Sequence, residues 1–189
     1  AYPYRGMLNA IRREPSMKKM WMRRGMFKKG SKVPVDSIQF FDTILHPGDA
    51  ITTQERGVEH SVEVKHVPPI LLVKEEEMFS KEEARSRLGV PQSAEVWYVQ
   101  LGAGQINDIE SEIRLTIDAL LEHNSELFIV IGESLLGKRV SFSNERVRIL
   151  RDYPNAIYFK GFDYSIQAGG YNSFHEMRSS QIPTVFYPN

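Results

Sequence analysis

Between Glu95 and Pro188 the chain repeats one alternation that leaves few folds open to it. Five runs rich in β-branched and aromatic residues, "EVWYVQLG", "ELFIVIG", "RVRIL", "FDYSIQA" and "IPTVFYP", have strand length and buried-strand composition. Between the first two lies "DIESEIRLTIDALLEHN", in which Ile109, Ile113, Ile117, Leu120 and Leu121 recur at helical spacing. Before the first run, "SKEEARSRLGV" places Ser80 and Glu83 at capping-box spacing and Gly89 as a stop. Strands that alternate with helices predict an α/β layer fold built on a doubly wound parallel sheet.

The first third reads differently. Helical spacing near the start is broken at Pro15. "DSIQFFDTILHPGD" reads as a short strand with a turn at Pro47 and Gly48, and "GVEHSVEVKHVPPILL" as a connector. Each proline of Val67-Pro68-Pro69 pushes its predecessor to extended geometry, so a boundary is expected there, between residues 1–66 and 67–189. The chain stops directly after a strand and begins abruptly, which leads to the expectation of a piece incomplete at both ends.

Several chemistries are excluded by composition. There is no cysteine, so no disulfide, thiolate metal site or thiol nucleophile, and the chain fits a cytoplasmic setting. No run of apolar residues reaches the length of a membrane span. His46, His60, His66, His123 and His175 form no close metal-ligand pair in sequence, so no metal is expected. The net charge of zero hides an asymmetry: residues 1–32 hold ten Lys/Arg against Glu14 alone, and the remainder is equally acidic. From Met17 to Gly30, "MKKMWMRRGMFKKG" interleaves bases with Met, Trp and Phe. It reads as a solvated basic face beside an apolar anchor, as a contact for anionic lipid, or, less fittingly, as a nucleic-acid contact.

Two strand-to-helix turns carry unusual chemistry. In "QLGAGQIND", Gly102, Ala103 and Gly104 let the backbone approach a ligand. In "QAGGYNSFHE", Gly169 and Gly170 make the turn, with Asn172 and Ser173 as residue types that cap helices. A helix starting there aims its amides and positive dipole end at a ligand such as a diphosphate. Glu176, about a turn further on, could accept hydrogen bonds from vicinal ribose hydroxyls. Plainer readings stand beside these. Tight turns need glycine in any case, and Glu176 could be a first-turn acid serving the dipole. His175 reads as a packing or surface residue, Asp163 as a structural capper, and Glu133 as a surface residue that could alternatively hold a ribose. Asn107 stands where a dinucleotide G-x-G-x-x-G motif has its third glycine.

Together, "FDYSIQAGGYNSFHEMRSSQIPTVFYPN", "WYVQLGAGQIND" and "HVPPILL" resemble the donor-binding domain of GT-B fold glycosyltransferases. Within these they are most similar to family 28, the group of the peptidoglycan N-acetylglucosaminyltransferase and the diacylglycerol galactosyltransferases. The resemblance covers roughly residues 67–189 and implies a Rossmann-like donor domain that follows a remnant of an acceptor domain. It implies a metal-independent hexosyltransferase that uses a nucleoside diphosphate sugar, with UDP favoured, and a lipid or saccharide acceptor. No nucleic acid and no cofactor are implied. The implied setting is cytoplasmic, peripheral to the inner face of the membrane. Donor contacts would come from Gly102, Ala103, Gly104, Gly169, Gly170, Asn172, Ser173 and Glu176, with Glu176 on the ribose. The segment that contacts the donor sugar and the residue serving as base have no counterpart here, so no catalytic residue is assigned. A non-catalytic nucleotide-sugar-binding subunit, a nucleotide-sugar epimerase and an NAD-dependent oxidoreductase remain as alternatives.

Overall fold

The computed structural model describes residues 5–23, 39–48, 62–102, 109–133 and 139–188. The chain divides into two compact units, Ala1–Ile70 and Leu71–Asn189.

The first unit holds helix α1 (Arg5–Arg12) and strands β1 (Met20–Met22), β2 (Thr43–Pro47) and β3 (Glu63–Val67). All strand pairs are parallel, in the order β1-β2-β3. Leu8, Trp21, Phe41 and Ile44 form its core. β3 corrects the sequence reading, which made this stretch a connector. Glu63 and Lys65 are polar, and half of an exposed edge strand carries no apolar signal.

The second unit holds α2 (Lys81–Leu88), β4 (Val96–Gln100), α3 (Ile109–His123), β5 (Phe128–Gly132), β6 (Val147–Leu150), β7 (Tyr164–Ala168), α4 (Tyr171–Ser179) and β8 (Thr184–Tyr187). A 3₁₀ segment, Asn155–Gly161, precedes β7 and has no counterpart in the sequence reading. The five strands form one parallel sheet in the order β6-β5-β4-β7-β8. Cores lie on both faces. Val96, Tyr98, Phe128 and Val130 pack with Ala84, Leu88, Phe159 and Met177 on one. Val99, Ile129 and Ile131 pack with Ile113 and Ile117 on the other. Every residue of β5 is buried, the pattern of a strand covered on both sides. This is the expected doubly wound α/β fold.

The strand order also positions the site. The chain starts the sheet at its centre with β4, builds outward through β5 and β6, then crosses back to lay β7 and β8 on the other side. The reversal falls between β4 and β7, the place where open parallel sheets bind ligands beyond the strand carboxyl ends.

α2 shows how local signals and long-range pairing divide the labour. Ser80 Oγ accepts the Glu83 amide at 3.2 Å, and Gly89 closes the helix at φ 65°, as read from sequence. The reciprocal half of the box is absent, because the Glu83 carboxylate turns to Arg87 at 3.0 Å.

Candidate functional site at the strand-order reversal

β4 and β7 run side by side with Gln100 opposite Gln167, so their two glycine turns emerge as neighbours. Gly102 has φ 103°, a conformation that L side chains rarely adopt. A Cβ there would lie 3.8 Å from the Ala168 Cβ and 3.6 Å from Ile109 Cδ1. Gly102 therefore lies beside both the end of β7 and the start of α3. Ala103 and Gly104 lie outside the described residues.

The second turn departs from expectation in two ways. Gly169 is glycine for a structural reason: its amide donates to the Tyr187 carbonyl at 2.7 Å, and a Cβ would stand 3.2 Å from that oxygen. Asn172 and Ser173 do not cap α4. Gly170 is the N-cap residue, no side chain caps the helix, and Asn172 and Ser173 are its second and third residues. Asn172 is exposed and Ser173 half-buried. An N-terminus without a side-chain cap is one whose first amides can serve an anion.

Glu176 is the sixth residue of α4, past the first turn, so the dipole-serving reading does not apply. It is half-buried, and burial pushes its carboxyl above the usual range. No described residue donates a hydrogen bond to that carboxylate, and no described cation offsets its burial. Its charge is felt by Tyr98 on β4. Burial pushes the Tyr98 hydroxyl strongly up and the Glu176 charge adds to this, while the Asn155 amide opposes it.

Tyr98 was not singled out from the sequence. Its ring stacks on Phe162, with centroids 4.7 Å apart and planes 7° apart, and Asn155 Nδ2 donates to its hydroxyl at 3.0 Å. The hydroxyl occupies the space over Gly132, where a Cβ would lie only 2.1 Å away. "VIG" ends β5 in a glycine because the neighbouring tyrosine needs that volume, a link invisible in either segment alone.

The remaining candidates are structural. His175 is buried and packs edge-on to Tyr171 (4.4 Å) and Phe174 (5.2 Å). Asp163 accepts the Val96 amide at 2.9 Å and pairs with Arg85 at 2.6 Å and Lys81 at 2.9 Å. Glu133 is corrected from a surface residue, since its side chain is only 11% exposed. Its carboxylate accepts from Arg151 Nε at 2.8 Å and from the Val140 amide at 3.1 Å. Arg151 first, then the Val140 amide, hold that carboxyl below its usual range against burial. A carboxylate so committed is a poor ribose acceptor.

A hollow of about 590 Å³ lined by Pro91, Phe128, Glu145, Arg146 and Arg148 lies at the opposite, amino-terminal end of β5 and β6. Its arginines already donate to the Glu126, Glu145 and Gly89 carbonyls. In the basic segment, Met17, Met20 and Met22 are exposed while Trp21 is buried in the first unit's core. Residues 24–30 lie outside the described residues. Among the described residues no helix is long and apolar enough to cross a membrane.

No protein-family model matches the chain, and no curated protein matches it. Among solved structures, the spinosyn forosaminyltransferase SpnP is similar with a TM-score of 0.43 and 9% identity, over 78% of this chain and 36% of that one. The chain thus spans little more than a third of that protein's length.

Proposed function

We propose that this chain binds a nucleoside diphosphate sugar, with UDP as the favoured nucleotide, as the donor-binding part of a metal-independent glycosyltransferase. The observation that carries the reading is Glu176: a half-buried carboxylate without a described donor, on the helix that opens at the strand-order reversal. A pair of vicinal ribose hydroxyls supplies what it lacks. The amides at the start of α4, beside Gly102 and Gly170, would face the diphosphate. In the transfer, an acceptor hydroxyl oxygen forms a bond to the anomeric carbon while the bond to the diphosphate oxygen breaks. The helix amides stabilise the negative charge that develops on the leaving group. No residue is assigned as the base. The exposed methionines 17, 20 and 22 beside Lys18 and Lys19 suit contact with an anionic lipid surface, which fits a lipid acceptor.

The test is calorimetry of UDP on the wild-type chain and on Glu176→Ala. Charge-assisted hydrogen bonds are worth about 1.5–3 kcal/mol, so roughly a tenfold to hundredfold loss of affinity is expected. Wild type should prefer UDP over its 2′-deoxy counterpart, and the variant should lose that preference. Equal affinity of the two proteins for UDP would remove Glu176 from the site and the reading with it.

A further inference from the structure

His46 and His66 lie in separate segments, and no sequence spacing links them. The fold of the first unit puts them side by side. β2 and β3 pair in parallel with His46 opposite His66, so both imidazoles leave the same face. The ring centroids are 5.0 Å apart and the planes are tilted by 42°. Each histidine is the last residue but one of its strand, so the pair stands at the carboxyl end of the sheet, where open parallel sheets bind ligands.

The separation carries the argument. A metal ion lies about 2.0–2.1 Å from an imidazole nitrogen, hence about 3.2 Å from the ring centroid. Two such rings at a tetrahedral angle have centroids about 5.2 Å apart. The observed 5.0 Å is that spacing with almost no adjustment. The spacing of hydrogen-bonded strands, about 4.8 Å, sets it without strain. His66 is exposed and His46 half-buried with its Nδ1 closed off from solvent, so ions reach the pair from the His66 side.

We propose that His46 and His66 together bind a divalent transition cation such as Cu²⁺, Ni²⁺ or Zn²⁺, as a two-imidazole chelate. No third His, Asp or Glu gathers with them among the described residues. A two-imidazole chelate leaves its other coordination positions to water or a ligand oxygen, unlike the closed four-ligand sites that hold a fold together. Imidazole donors favour Cu²⁺ over Ni²⁺ and Zn²⁺, and select against Mg²⁺ and Ca²⁺, which take oxygen ligands. This site belongs to the first unit and stands independently of the nucleotide reading.

The test titrates the EDTA-stripped full chain with NiCl₂ by calorimetry. Wild type should show one saturable site that MgCl₂ does not reproduce. His66→Gln and His46→Gln should each weaken it by about tenfold or more, and the double variant should be no weaker than the singles, because the two residues act as one unit. His123→Gln, at an exposed histidine of the second unit, should bind as wild type does. With Cu²⁺, electron paramagnetic resonance should show coupling to two nitrogens in wild type and one in His66→Gln. Because His66 is exposed, its variant keeps the fold, which circular dichroism verifies, even if His46→Gln does not. Wild-type affinity in His66→Gln, or no saturable site in wild type, would overturn the proposal.

Discussion

At the scale of single residues, Glu176 carries a stability cost beside the binding role proposed for it. Burial raises its pKa above the value it has in the unfolded chain. Its contribution to stability is therefore fully present below the unfolded value, about 4.3, and is lost as pH rises through the folded value. Glu176→Gln removes the charge and keeps the shape. Urea denaturation should find the variant at least as stable as wild type at pH 7, with the gap closing as pH falls towards 4. A variant that is less stable than wild type at pH 7 would mean that the carboxylate is held by a cation in the folded protein. Gly132 shows the same economy of side chains: it is small because Tyr98 fills its volume.

At the scale of elements, α2 is joined to β4 and β7 by one buried charge. Arg85 is almost wholly buried and donates to the Gly161 carbonyl at 3.0 Å, to the Ala94 carbonyl at 2.8 Å, to the Gln92 carbonyl, and to Asp163 at 2.6 Å. Asp163 thereby links the helix, the Val96 amide that opens β4 and the entrance to β7. Burial pushes its carboxyl up, but Lys81, the Val96 amide and Arg85 together outweigh this and hold it below the usual range. The stability it brings is present above the unfolded pKa and is lost as pH falls through the folded one. Asp163→Ala leaves the Arg85 charge buried without its counter-ion. It should cost about 3 kcal/mol, the low end for a broken buried pair because the aspartate is 26% exposed. A loss below about 1 kcal/mol in chemical denaturation would show that the three carbonyls alone suffice for Arg85.

At the scale of the whole molecule, strand order decides which turns meet. The ends of β4 and β7 are far apart in sequence and adjacent in space only because the sheet reverses direction between them. If the candidate site there holds a diphosphate through amides, UDP should stabilise the chain in the presence of EDTA. The gain should be about 2.7 kcal/mol at a hundredfold excess over the dissociation constant. Stabilisation that appears only on adding Mg²⁺ would show that a metal, not the helix amides, neutralises the phosphates.

By itself, the sequence determined where most elements of the second unit lie and how α2 begins and ends. Their signals are local: helical spacing in residues 109–121, continuous apolar character in 128–132, and Ser80 and Gly89 at the helix ends. A strand buried on both faces announces itself by composition, whereas β3, an exposed strand carrying Glu63 and Lys65, does not. Of the candidate site, Gly102 and the Gly169–Gly170 turn were legible as turn positions, because turns draw on few residue types. What capped α4 was not: Asn172 and Ser173 are suitable types two and three positions too late, and only the backbone path assigns the position to Gly170. Tertiary structure alone brought Tyr98 over Gly132, tied Glu133 to Arg151, buried Arg85 against Asp163 and set His46 beside His66. Each of these pairs joins segments whose separation is set by register and strand order. Those are fixed by long-range burial of apolar faces, which no local pattern encodes.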